Sequence, residues 1–183
     1  MILYVNCCVR QESRTDELAR EVLSRLGGDY EELKLSEEKL LPLSRDRLEQ
    51  RNRLLEEKAY DAPMFSYARQ FAAADTIVIS APFWDLSFPA ELKLYVENIY
   101  AAGIVSEYDE QGRPIGLCRA RMLYYVTTAG GRYVPEYSYD YFRELAKVYL
   151  GINDTRLIMA EMLDIAGNDA KAILAQAKSE IEL

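Results

Sequence analysis

Short apolar runs alternate with longer stretches in which apolar residues recur every three or four positions. Ile2–Val5 reads as a first strand. Ser13–Leu26 reads as a helix, with Leu18, Val22 and Leu26 on one face and Gly27-Gly28 as its stop. Tyr30–Leu35 follows as a partly polar second strand, suited to a position near an edge. Ser44–Lys58 is charge-rich and has the look of a solvated helix face. Met64–Ala74 is a further helical piece. Thr76–Ser80 contains Ile77, Val78 and Ile79, a run too short for a helix and suited to a strand buried on both faces. Pro82 ends it, because proline cannot donate to a sheet ladder. Pro89 opens a helix to Ala102, with its missing N–H harmless in the first turn and Leu92, Val96 and Ile99 at helical spacing. An insertion over Glu107–Leu117 holds a turn at Glu110-Gln111-Gly112. Met122–Thr127 is a fourth strand, Tyr139–Leu150 a helix, Thr155–Ala160 a fifth strand and Asp169–Ile181 the closing helix. Strands alternating with helices predict βαβ units with right-handed crossovers, hence an α/β fold with a doubly wound parallel sheet. No linker-like stretch divides the chain, so residues 1–183 read as one domain.

Composition narrows the chemistry. Half the residues are hydrophobic and 28% are charged, as in an ordinary soluble domain. The 22 basic and 30 acidic residues give a net charge of −8, which argues against a nucleic-acid partner, since no basic excess exists to displace counterions. No apolar run approaches the roughly 20 residues of a membrane span. The N-terminal Met1-Ile2-Leu3-Tyr4-Val5 lacks a basic leader and reads as a strand, not a signal peptide. The 3 cysteines, with Cys7 and Cys8 adjacent, form no disulfide framework and suit a reducing cytoplasm. The chain has no histidine, which removes the usual zinc sites and any Ser-His-Asp or Cys-His mechanism; no metal is expected.

In a parallel sheet the loops after the strands share one edge, where open α/β sheets bind ligands. The loop after strand one runs Asn6 to Thr15. Ser13 and Thr15 stand at a helix start, where free N–H groups and the dipole favour a phosphate, and Arg10 or Arg14 adds charge. Ser13 equally suits a plain helix cap. There is no P-loop and no GxGxxG pattern. The loop after strand three, Pro82-Phe83-Trp84-Asp85-Leu86-Ser87-Phe88, is apolar and aromatic where loops normally face water. A flat aromatic ligand would cover it; so would a neighbouring helix or subunit. The loop after strand four, Thr127-Thr128-Ala129-Gly130-Gly131, carries paired glycines that permit a close backbone approach to a ligand or simply make a turn.

Taken together the loops resemble the flavodoxin-like NAD(P)H:quinone reductase and FMN-dependent NADH-azoreductase family. The resemblance runs through nearly the whole chain. It is densest in Ala74–Ile79, Ala81-Pro82-Phe83-Trp84, Phe88-Pro89-Ala90-Glu91-Leu92-Lys93 and Val126–Gly131, with Gly103–Gly116 and Ala160–Asp164 also similar. It implies a five-stranded sheet of order 2-1-3-4-5 with helices on both faces, and noncovalent FMN at the strand ends. By position, Ser13, Arg14 and Thr15 would hold the phosphate, with Cys8 beside it. Pro82, Phe83, Trp84, Asp85 and Leu86 would line the isoalloxazine. Thr128, Ala129, Gly130 and Gly131 would lie along its N1/O2 edge. The implied activity is a ping-pong transfer of two electrons from NADH or NADPH, through flavin N5, to quinone-like or azo/nitroaromatic acceptors. It needs no side-chain acid or base. The family also implies a homodimer. In its azoreductase branch an Asn often stands where this chain has Asp85, and an Arg where it has Ala129. A flavodoxin-type electron carrier, or a flavin-binding module without nicotinamide turnover, is the second reading.

Overall fold

The computed structural model describes residues 1–183. Strands β1 (Ile2–Asn6), β2 (Tyr30–Lys34) and β3 (Thr76–Ser80) form a parallel sheet with two later strands, β6 (Met122–Thr128) and β7 (Asp154–Ala160), in the order β2-β1-β3-β6-β7. In strand sequence this is the expected 2-1-3-4-5, because two short strands, β4 (Ser106–Tyr108) and β5 (Pro114–Gly116), form a separate antiparallel hairpin. That hairpin is the insertion with its turn, where Gly112 takes a φ of 74°. The register sets Leu3 beside Ile77 and Ile77 beside Leu123.

Alternation along each strand divides the core. Leu3, Val5, Ile77, Ile79, Leu123 and Tyr125 face one side; Tyr4, Val78, Tyr124 and Val126 face the other. On the first side pack α3 (Ser66–Ala73), α4 (Ala90–Ile99) and α5 (Tyr139–Leu145), through Phe71, Leu92, Ile99 and Phe142 among others. On the second pack α1 (Arg14–Leu26) and α6 (Ala170–Ser179), through Leu18, Val22 and Leu174. Each fully buried Leu or Ile contributes about 1.5–3 kcal/mol. Helix α2 (Arg45–Glu56) buries no residue completely, in keeping with its charge, and leans Leu54 and Leu55 on the first core.

Several boundaries differ from the sequence reading, each for a local reason. Ser13 caps α1 from outside it, its side chain accepting from the Asp16 N–H. Met64 and Phe65 belong to a 3-10 turn opened by Pro63. Helix α4 stops at Ile99, three residues early. Helix α5 gives way to a π-helical turn over Ala146–Leu150, which ends at Gly151 with a φ of 76°.

Candidate active site

Because β1 lies between β2 and β3, the chain leaves β1 toward one face of the sheet and β3 toward the other. Helix α1 packs on one face and α4 on the opposite one, so the two loops part and leave a crevice at the carboxyl edge. A cleft of about 180 Å³ opens there. Cys8, Ser13, Arg14 and Thr15 line it from the first loop, Pro82, Phe83 and Trp84 from the second, and Thr128 and Gly130 from the third. The remaining residues singled out in the sequence stand off this lining. Ala129 is buried, and both of its backbone groups are engaged: its N–H donates to the Ala160 carbonyl at 2.9 Å and its carbonyl accepts from Leu163 at 3.2 Å. Gly131 is half-buried, and Asp85 and Leu86 are exposed.

The exposure of Asp85 and Leu86 has a backbone cause. Trp84 and Ser87 exchange two hydrogen bonds, of 2.9 and 2.7 Å, across a tight two-residue turn. Asp85 and Leu86 therefore adopt φ values of 51° and 63°. This left-handed pair suits a type I′ turn, and for side chains other than Gly it carries strain. Behind the turn, the Phe83 ring meets Tyr133 edge-on at 4.9 Å, and the Tyr133 hydroxyl shares a 2.7 Å hydrogen bond with Ser138.

A polar network supports the floor. The Tyr4 hydroxyl donates to Asp16 at 2.6 Å and lies 2.9 Å from the Ser80 hydroxyl. The Asn6 side chain donates to Asp16 and Glu32, and its oxygen accepts from the Cys8 N–H at 2.8 Å and from Ser80 at 3.2 Å. Arg20 ties Asp16 to Glu32. Burial pushes the Cys8 thiol up from its ordinary value, against the pull of hydrogen bonds from Ser13 and Ser80, so it stands as a neutral thiol and not a nucleophile. Burial likewise raises the Tyr133 phenol.

Two sets of backbone donors in the loops around the cleft have no protein acceptor. The backbone N–H groups from Val9 to Thr15 make no hydrogen bond within the chain, and neither do those of Gly130, Gly131 and Arg132. The first set ends at the positive end of α1, with Arg10 and Arg14 adjoining, which fits an anionic phosphate. The second set fits the polar edge of a planar ring. Thr15 and Thr128, one from each wall, are joined by a buried 2.6 Å hydroxyl–hydroxyl bond.

Asp164 falls in the Ala160–Asp164 segment of the resemblance but is not among the site residues read from the sequence. It lines the cleft and pairs with Arg14 at 2.7 Å. The signal was available: an acidic residue just past β7 shares the same sheet edge. Glu161 of the same loop accepts from the Tyr133 N–H at 2.6 Å.

A family model described as "Flavodoxin-like fold" matches residues 1–183. The FMN-dependent NADH:quinone oxidoreductase of Coprothermobacter proteolyticus is 30% identical over 194 aligned positions, covering 99% of this chain and 96% of that protein. The FMN-dependent NADH:quinone oxidoreductase 2 of Clostridium acetobutylicum is 42% identical over 120 residues, 62% of this chain; that alignment spans only 59% of the relative's length. Among solved structures, an azoreductase of Bacillus anthracis superposes with a TM-score of 0.82 at 23% identity, covering 98% of this chain and 95% of that one.

Proposed function

We propose, from the premise that this chain belongs to the flavodoxin-like fold family, that it is an FMN-dependent NAD(P)H oxidoreductase reducing quinone-like or azo/nitroaromatic acceptors. The observation that carries the reading is the cleft itself: unpaired amides at the start of α1 on one wall, unpaired Gly130 and Gly131 amides on another, and Phe83 and Trp84 between them. The names of the relatives point the same way. When bound, FMN would supply two-electron chemistry between a nicotinamide donor and the acceptor. Ser13, Arg14 and Thr15 hold its phosphate, with Cys8 filling space as a neutral thiol. Pro82, Phe83 and Trp84 give an apolar wall for the ring, and the Asp85–Leu86 turn stands at its rim. Thr128 and Gly130 line its far edge, with Ala129 fixing the strand behind and the Gly131 N–H adding a donor. Donors aimed at that edge favour the negative charge of the reduced state. No residue in the cleft acts as a general acid or base.

In this reading residues 1–183 act as one domain, consistent with one five-stranded sheet carrying a core on each face, and two copies pair as a homodimer. Trp84, Leu86 and Tyr137 are exposed on the loops beside the cleft, and a second copy would cover this apolar surface. Light scattering then gives twice the 21.0 kDa chain mass; a monomer at micromolar concentration removes this part. Three free cysteines suit a reducing cytoplasm. No helix is long and apolar enough to cross a membrane.

The test is an absorbance spectrum of purified protein after reconstitution with FMN, repeated anaerobically with NADH or NADPH, then with a simple quinone. Flavin bands that bleach with nicotinamide and return with quinone support the proposal. Bound flavin that neither nicotinamide reduces places the protein among electron carriers instead. No bound flavin overturns the reading.

A further inference from the structure

We propose that Asp164 is a positioning residue for the cofactor phosphate, acting through Arg14; this rests on the FMN reading above. The two residues are 150 positions apart and come from the loops after β7 and β1. Arg14 makes two bonds to this one loop: Nη1 donates to the Leu163 carbonyl at 3.1 Å and Nη2 to Asp164 Oδ1 at 2.7 Å. A guanidinium has five N–H donors in a rigid plane. Two are engaged on the β7 loop, the others make no bond within the chain, and Arg14 lines the cleft.

The same aspartate holds the third loop. Its backbone N–H donates to the Gly130 carbonyl at 2.8 Å, flanked by bonds from Met162 to Gly131 and from Leu163 to Ala129. Its carboxylate lies against the Gly130 Cα so closely that a β carbon there would collide with it. Asp164 is therefore the residue at which the arginine of the phosphate wall and the glycine of the ring wall are set relative to each other. A long arginine side chain free in solvent loses rotamer entropy when it captures an anion; one already held by two bonds loses less. The carboxylate also repels a phosphate, and orientation of Arg14 outweighs that repulsion. Half of the pair faces solvent, with side-chain exposures of 31% for Arg14 and 64% for Asp164, so removing the charge leaves the fold intact.

Riboflavin carries the FMN ring and ribityl chain without the phosphate and separates this role from general loop support. Apoprotein is titrated with FMN and with riboflavin by flavin fluorescence, for the parent chain, Asp164→Asn, Arg14→Ala and the double variant, with a thermal melt of each. Asp164→Asn keeps the backbone bond and the shape and removes the charge. Expected is a rise in the FMN Kd of about tenfold, equivalent to about 1.4 kcal/mol, with the riboflavin Kd changed less than about twofold. In the Arg14→Ala background, Asp164→Asn should then alter FMN binding by less than about twofold, since the two residues act as a unit. Equal weakening of both ligands overturns the proposal, because Asp164 would then only shape the loop. Tighter or unchanged FMN binding overturns it too. If the parent chain binds neither ligand, the FMN reading itself falls; if it prefers FMN and Asp164→Asn matches it, only this inference falls.

Discussion

Thr15→Val removes one hydroxyl from a buried pair and tests how firmly the two walls of the cleft are joined. Thr15 is 1% exposed and Thr128 8%, and their hydroxyls are 2.6 Å apart. Valine matches threonine in shape, so packing is retained while Thr128 Oγ1 is left without its partner. A buried hydroxyl stranded in this way costs about 1–3 kcal/mol. At about 2–4 °C per kcal/mol for a chain of this size, the melting temperature of the apoprotein should fall by several degrees. The urea midpoint should drop with an unchanged slope, since the surface exposed on unfolding is the same. Thr128→Val should do the same from the other side. The double variant, with both hydroxyls gone, should recover most of the loss, because two apolar groups replace a satisfied pair. The coupling measured by this cycle should be at least as large as the loss from one single variant, about 1–3 kcal/mol. Singles that sum to the double within error would refute the argument, showing that water satisfies each hydroxyl independently. FMN affinity measured on the same proteins adds a second readout: Thr15→Val should weaken FMN, and unchanged affinity would remove Thr15 from the phosphate site.

Leu86→Gly should stabilise the chain by about 0.5–1 kcal/mol in urea denaturation, because a φ of 63° costs a leucine more than the entropy lost by glycine; a loss of stability would mean that the leucine is packed. Thr127→Val should stabilise the apoprotein by about 1 kcal/mol in the same assay, since its buried hydroxyl has no partner. Burial holds the Cys118 thiol, Tyr67 and Tyr100 up at about 12 each. The folded chain therefore keeps these protons to higher pH than the unfolded chain, whose values are about 8.5 for a thiol and about 10 for a phenol. Their contribution is complete below those values and is lost as pH rises toward 12. Melting temperature should decline steadily above about pH 9, and a flat profile to pH 11 would contradict the assignment.

Much of the architecture was legible along the chain because it rests on local periods and local chemistry. Ile77-Val78-Ile79 announces a strand buried on both faces, and alternation with helices of 3.6 period makes the sheet parallel. A parallel sheet in turn sends the loops after β1, β3 and β6 to one edge, so Ser13, Phe83 and Gly130 could be grouped without coordinates. Pairings between distant residues were not legible. That Arg14 meets Asp164, Thr15 meets Thr128 and Tyr4 reaches Asp16 depends on strand order and register, and no local period encodes either. The left-handed pair at Asp85 and Leu86 was hidden for a related reason. Aspartate tolerates that conformation but leucine does not, and the two hydrogen bonds between Trp84 and Ser87, closed by the surrounding fold, hold the pair there. Sequence determined the sheet and which loops meet; tertiary structure decided which side chains within those loops touch, because a contact between residues far apart in the chain exists only once the backbone between them has been placed.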